Sequence, residues 1–379
     1  MTFEYIPDQN PLDTVIKVIG VGGAGGNAVE HMITCGCEGV QFITANTDSQ
    51  ALRRSGADLT IQLGKTGLGA GANPQVGAES AREMTEEIEE AIRGTNLLFI
   101  TAGMGGGTGT GAAPVIAEIA RGLGALTVAV VTRPFSFEGR RRMRIAEAGI
   151  EELREKVDAI LVVLNEKLED VDPDATMKQC FEMSDDVLYK ACTGVASIIR
   201  NLGQVNLDFN DLKSVMTIRG SAIIGTASAT GPNRAVEAAE AAITCPLLEG
   251  HDLHGARGLM VCFTANESIK MSETTKAMEI LNNFVSPDAS IFYGSIMDPN
   301  AGDALSITLV ATGLDEEPGV PPLSEITTAG EGGIRPLGEL TADSAAPTAA
   351  IDTAESEPEP AAAGAGAGGQ GIRIPDFLR

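Results

Sequence analysis

The chain has 379 residues, 43% of them hydrophobic, which exceeds what one average domain needs and allows two units with a sizeable core. Acids outnumber bases 52 to 27, and the net charge of −25 repels phosphate backbones and anionic lipid, which excludes generic nucleic-acid binding and disfavours membrane surfaces. Six cysteines without a Cys-x-x-Cys pair argue against a disulfide framework or zinc ribbon, and no stretch reaches the roughly 18 apolar residues of a membrane span, so a cytoplasmic protein with reduced thiols is expected.

Residues 1–13 are polar, carry two prolines and are expected to be flexible. TVIKVIGVGG, from Thr14, then reads as a buried strand running into a glycine-rich turn, followed by helical spacing in NAVEHMI. GVQFITANTD, NLLFITAG and LTVAVVTRPF are further apolar strands, separated by helix-patterned segments such as GAESAREMTEEIEEAIRG. Strands alternating with helices over 14–173 predict a Rossmann-like parallel sheet. Apolar residues at three- and four-residue steps over 174–202 predict one long amphipathic helix, a spine between two halves. Four more strands and two helices, 233–244 and 272–284, predict a smaller α/β domain over 203–314.

From 315 to 370 the composition shifts to Ala, Gly, Pro, Ser, Thr and Glu, with eleven acids against the single base Arg335. Such a segment cannot bury a core and is expected to be a disordered tether with a reach of roughly 40 Å. It ends in GIRIPDFLR at 371–379, apolar and basic after an acidic stretch. The acid excess, with Lys scarce beside Arg, would keep a protein hydrated at high salt and points to a saline, haloarchaeal interior.

Two glycine clusters carry the chemistry. GVGGAGGN at 20–27 leaves a strand and opens a helix, so its backbone N–H groups can wrap phosphate oxygens. Alone it also satisfies the dinucleotide fingerprint, with Asp48 ending the next strand as the ribose acid. GMGGGTGTGA at 103–112 has the same placement, and Thr108 and Thr110 offer hydroxyls where a Walker loop would use Lys. GKT at 64–66 lacks the upstream glycine of a P-loop. His251 and His254 would need a third ligand that their neighbourhood does not show, and no protein metal site is expected.

GMGGGTGTGA resembles the tubulin signature, and with GGAGGN, NTD at 46–48 and GLGAGANP at 67–74 the chain is similar to the FtsZ family of cell-division GTPases, from about Val15 to Gly313 and again over the last nine residues. The resemblance implies the tubulin/FtsZ fold and binding of GTP or GDP with Mg²⁺. It places Gly22, Gly23, Ala24, Gly25, Gly26 and Asn27 around the phosphates, together with Gly107, Thr108 and Gly109. Ala70, Gly71 and Ala72 fall near the γ-phosphate, and Glu138 and Arg142 at the ribose. Asn165, Phe181, Asp185 and Asp186 fall at the guanine, where an acceptor for N1–H and the 2-amino group selects guanine over adenine; which aspartate touches the base stays open.

Asn206, Asp208 and Asp211 match the family's loop that enters the next subunit's pocket and orients the attacking water; read alone, the segment resembles a helix cap. The resemblance further implies head-to-tail homopolymers, a midcell ring, and division proteins held by Ile372–Arg379, with co-assembly with a paralogue left open. Two other readings stand beside it. A nicotinamide-dependent oxidoreductase explains the first glycine cluster and Asp48 but gives GMGGGTGTGA no task. A tubulin-like paralogue serving cell shape is disfavoured by the tail motif and by Asp208 and Asp211.

Overall fold

The computed structural model describes residues 14–314 apart from 38, 172–173, 201–204, 206, 219, 221 and 245–254. Every residue of β1 (Ile16–Val21) is buried, because helices cover both faces of a parallel sheet and an unbroken apolar run is the strand that suits it. After β1 come α1 (Gly22–Thr34), β2 (Gln41–Asn46), α2 (Ser49–Leu52), β3 (Leu59–Gln62), α3 (Pro74–Arg82), α4 (Thr85–Ile92), β4 (Leu97–Gly103), α5 (Thr108–Gly122), β5 (Leu126–Arg133), α6 (Arg140–Arg154) and β6 (Ala159–Leu164). These six strands pair in parallel in the order β3-β2-β1-β4-β5-β6, a doubly wound sheet whose order reverses between β1 and β4.

The short α7 (Glu166–Val171) leads to α8 (Met177–Arg200), the expected spine. Leu188, Cys192, Val195 and Ile198 of α8 are buried in one apolar cluster that also takes residues from β1, β4, β5 and β6 and from the second sheet. That sheet follows α9 (Phe209–Met216) and comprises β7 (Ala222–Ala229), α10 (Arg234–Ile243), β8 (Ala256–Ala265), α11 (Met271–Asn282), β9 (Val285–Met297) and β10 (Leu305–Thr312). Its order is β7-β10-β8-β9, with β10 antiparallel to both neighbours and β8 parallel to β9. Arg234, 4% exposed, ties this half together: its guanidinium meets Glu273 of α11 at 2.8 and 3.1 Å and Asp303 at 3.2 Å.

Two expectations are corrected and one strand was not foreseen. The segment read as one helix, 77–94, is two, because the chain leaves helical geometry at Met84 (φ −114°, ψ 27°). β3 carried no sequence signal, since Leu59 and Thr60 are exposed and only Ile61 faces the core. The first glycine cluster, read as a turn before a helix, itself forms the first turn of α1, whereas the second is a turn over 104–107 and enters α5 at Thr108, with Pro114 inside that helix. The spans 1–13, 315–370 and 371–379 lie outside the described residues, as do Asn206, His251 and His254. Among the described residues no helix is long and apolar enough to cross a membrane.

Candidate nucleotide site

The site lies where a doubly wound sheet provides one, beyond the carboxyl ends of the two strands that flank the order reversal. β1 runs directly into α1, and β4 into α5 after four residues. Neither helix has a side-chain cap, and neither has an acid in its first turn. Their first N–H groups are therefore free to meet an anion, with the helix dipoles adding in the same sense.

Glycine at these positions answers to close approach. A Cβ on Gly22, whose φ is +76°, would sit 3.0 Å from the Gly109 amide nitrogen and 3.3 Å from Thr108 Cβ, so the two helix starts lean on each other. A Cβ on Gly107 would lie 2.8 Å from Ala70 Cβ and 2.9 Å from the Asn73 nitrogen, which brings in the 67–73 loop as a third wall. That loop is held by Gly69 N–H donating to the Thr47 carbonyl at 3.0 Å and Ser49 N–H donating to the Gly67 carbonyl at 3.1 Å. Ala72 sits at φ +56°, the one non-glycine among the described residues with positive φ, and such strain clusters at ligand-binding loops.

Burial divides the phosphate candidates. Gly22, Gly25, Gly107, Gly109 and Ala70 are buried and let the walls meet, while Gly23, Ala24, Asn27, Gly71 and Ala72 are exposed, with Gly26 and Thr108 between. The Thr108 and Thr47 hydroxyls lie 2.6 Å apart. Thr110, expected to offer its hydroxyl to phosphate, is buried and accepts from Gly105 N–H at 2.9 Å, so it braces its own loop instead. Asp48 caps α2 through Gln50 N–H at 2.8 Å.

At the ribose position, Glu138 accepts from Phe135 N–H at 3.0 Å and pairs with Arg142 at 2.8 Å. The residues expected at the base lie on α8 and just after β6. Phe181 is 41% exposed and meets the buried Phe135 edge-on at 5.4 Å, leaving a ring face for stacking. Asn165 is buried and its carbonyl accepts from Ser184 Oγ at 3.0 Å, which joins β6 to α8 beside Asp185. Asp186 turns to the seam between α8 and α1, with Lys190 at 2.6 Å and His31 at 3.7 Å. Asp185 makes no ion pair among the described residues; burial pushes its carboxyl up to about 6, with His31 pulling it down and Glu182 pushing it further up.

Asp208 and Asp211 stand at the start of α9. Asp211 N–H donates to Asp208 Oδ1 at 2.8 Å and Asp208 N–H donates to Asp211 Oδ2 at 3.0 Å, a reciprocal capping box. Each carboxylate keeps its second oxygen, and no hydrogen bond or ion pair among the described residues links either to the glycine loops. No group of three or more His, Cys, Asp or Glu among the described residues could hold a metal ion. The oxygens at hand are threonine hydroxyls, a donor set that fits Mg²⁺ arriving on nucleotide phosphates with its waters and does not make a protein cage. Ser184 and His31 were missed in the sequence because their roles depend on the packing of α8 against β6 and α1.

The sheet order and the paired helix starts define a nucleotide-binding α/β protein. Residues 15–173 match the model of the Tubulin/FtsZ family GTPase domain, and residues 220–315 that of the FtsZ family C-terminal domain. The cell division protein FtsZ of Azotobacter vinelandii is 53% identical over 316 residues, 82% of this chain and 80% of that protein. That of Pseudomonas putida is 52% identical over 82% and 79%. An empty FtsZ dimer from M. jannaschii superposes with a TM-score of 0.74 at 41% identity, covering 80% of this chain and 89% of that one. CetZ2 from Haloferax volcanii shares the fold, with a TM-score of 0.69 at 19% identity over 80% of this chain and 94% of that one.

The chain belongs to the FtsZ family of cell-division GTPases. The oxidoreductase reading is thereby set aside. The haloarchaeal expectation is corrected as well, since the relatives at 52–53% identity are bacterial. Ten of the 25 net negative charges fall in 315–370, outside the described residues.

Proposed function

We propose that this GTPase forms head-to-tail filaments and hydrolyses GTP only where one subunit's Asp208 and Asp211 reach the nucleotide of the next. The observation that carries this is a separation. The three loops at the phosphate position, 20–27, 67–74 and 103–112, contain no ionisable side chain, whereas the two aspartates stand on α9 with a free oxygen each. Phosphoryl transfer depends on positioning and charge stabilisation, and the exposed N–H groups of α1 and α5 supply the second without any group to orient water.

In this reading Gly23 to Asn27, Gly107 to Gly109 and the loop Ala70 to Ala72 hold the phosphates, Glu138 and Arg142 the ribose, and Phe181, Asn165 and Asp185 the guanine. Asp186 serves the seam with α1 and does not touch the base. Asn206 joins the two aspartates in the incoming loop. Mg²⁺, bound through the nucleotide, supplies charge neutralisation between phosphate oxygens. A pocket completed by a second copy is a heterologous contact, which repeats without closing and so builds filaments. The M. jannaschii relative, an FtsZ dimer, supports self-association. Loss of the γ-phosphate would loosen the 67–73 loop and the contact it braces, so GDP favours disassembly.

Filaments of this kind would form the midcell division ring in the cytoplasm, with 315–370 as tether and Ile372–Arg379 as the docking peptide for division proteins, whose anchorage supplies the membrane link. Specific GTPase activity against protein concentration tests the shared site: activity should be near zero below a threshold and rise above it. Constant specific activity from trace to abundant protein would contradict it.

A further inference from the structure

Helix α6 follows β5, so its first turn stands at the carboxyl end of the first sheet, the end where the nucleotide site lies. That turn packs on the second glycine cluster: a Cβ on Gly105 would lie 2.7 Å from both Cγ and the carbonyl oxygen of Arg142. The first five residues of α6 are Arg140, Arg141, Arg142, Met143 and Arg144, four bases in a chain of net charge −25. All four arginines are exposed.

Elementary helix physics opposes this arrangement. A helix start carries the positive end of the dipole, where acids stabilise and bases destabilise, and α6 has no acid in its first turn. Arg140 and Arg144 are four apart and Arg141 and Arg144 three apart, so like charges are neighbours on the helix surface. Ion pairs do not offset the cost. Arg142 pairs with Glu138 at 2.8 Å and Arg133 takes Glu147 at 2.7 Å, while among the described residues no acid lies within ion-pair distance of Arg140, Arg141 or Arg144. Residues that break local rules without a gain in folded stability point to something outside the chain.

Resting on the reading of the glycine loops as the phosphate site, we infer that Arg140, Arg141 and Arg144 form a basic patch that steers the incoming nucleoside di- or triphosphate into its pocket. They speed its entry and do not hold it once bound, a role distinct from that of Arg142 at the ribose. The chain as a whole repels a polyanion, and at physiological salt a charge is felt over only about 8 Å, so encounter is governed by the side chains around the mouth. The loops 20–27, 67–74 and 103–112 contain no ionisable side chain, and their N–H groups act only at contact distance. The exposed arginines beside Gly105 supply the longer-ranged attraction. The acidic surface of a second copy is the competing occupant, and the packing of this turn on the glycine cluster favours the nucleotide.

The test is stopped-flow association of mant-GDP with nucleotide-stripped full-length protein below the assembly threshold, between about 25 and about 500 mM KCl. In the triple variant Arg140→Gln, Arg141→Gln, Arg144→Gln the association rate should fall about tenfold at the low-salt end and less than about twofold at the high-salt end, with dissociation within about twofold of wild type. The variant should also melt no lower than wild type, since the removed charges opposed the helix. An unchanged association rate at low salt would overturn the proposal. So would a loss carried by faster dissociation, which would make the arginines direct contacts, or a loss confined to a raised assembly threshold, which would assign the patch to the next subunit. A lower melting temperature with a loss that salt does not change would reduce the arginines to holding α6 in place, and would overturn it too. Gly107→Ala, whose Cβ would crowd Ala70 and Asn73, keeps the two readings apart: wild-type mant-GDP binding in that variant would refute the phosphate site itself, whatever the arginines do.

Discussion

Asp185→Asn isolates the cost of burying the carboxylate that we propose meets the base. The carboxyl is raised from 3.8 to about 6, mainly by burial, so the folded protein holds its proton more tightly than the unfolded chain does. For an acid displaced upward, stability is greatest at low pH and falls as pH rises from about 4 through 6. The loss is at most about 1.6 kcal/mol at pH 5 and about 3 kcal/mol at pH 7.5, upper limits because the half-buried group keeps some water. Asparagine has the same shape and an acceptor oxygen but no charge to desolvate. The nucleotide-free variant should therefore melt about 5 °C above wild type at pH 7.5 and about half that at pH 5, read by thermal unfolding after nucleotide stripping. Saturating GDP should narrow the gap, because the base supplies the N–H donors that the empty carboxylate lacks. A stabilisation that does not grow with pH, or none at pH 7.5, would refute the assignment of burial as the cause.

Gly25→Ala should separate packing from local flexibility, since the new Cβ would collide with the Thr101 carbonyl and lie 2.9 Å from Gly20 C. We expect a loss of about 1–3 kcal/mol in urea unfolding and at least a tenfold weaker GDP affinity, as α1 is pushed off the sheet. Arg234→Ala leaves Glu273 without its two charge-assisted hydrogen bonds and should cost about 3–5 kcal/mol, while GDP affinity of the folded fraction stays at the wild-type value. An equal fall in nucleotide affinity would mean that the second sheet shapes the pocket.

Much of this arrangement was legible in the residues. β1, β4 and β5 are unbroken apolar runs and α8 has a clean helical stripe, so patterning alone located the parallel sheet and the spine. The glycine clusters stood out as candidate phosphate loops because few other tasks require so many residues without side chains. The helical conformation of Gly22 to Asn27 and of Thr108 to Ala112 was not legible, since glycine and an internal Pro114 argue locally against helix while tertiary packing of α5 on α3 and α6 decides for it. The different surroundings of Asp185 and Asp186 were equally hidden. They depend on Lys190 and His31, and only folding brings His31 from α1 to the neighbour of residues about 155 positions away.

Trans-complementation between two inactive variants tests the shared pocket most directly. On the proposed reading, Asp211→Ala should bind GTP without activating its neighbour, and a Phe181→Ala, Asp185→Ala double variant should lose guanine while retaining an intact α9. Each alone should be nearly inactive. Mixed in equal amounts above the assembly threshold, they should hydrolyse GTP at about a quarter of the wild-type rate, the share of junctions that random mixing makes competent. A mixture no more active than its separate components, with both variants folded and assembled, would contradict the account.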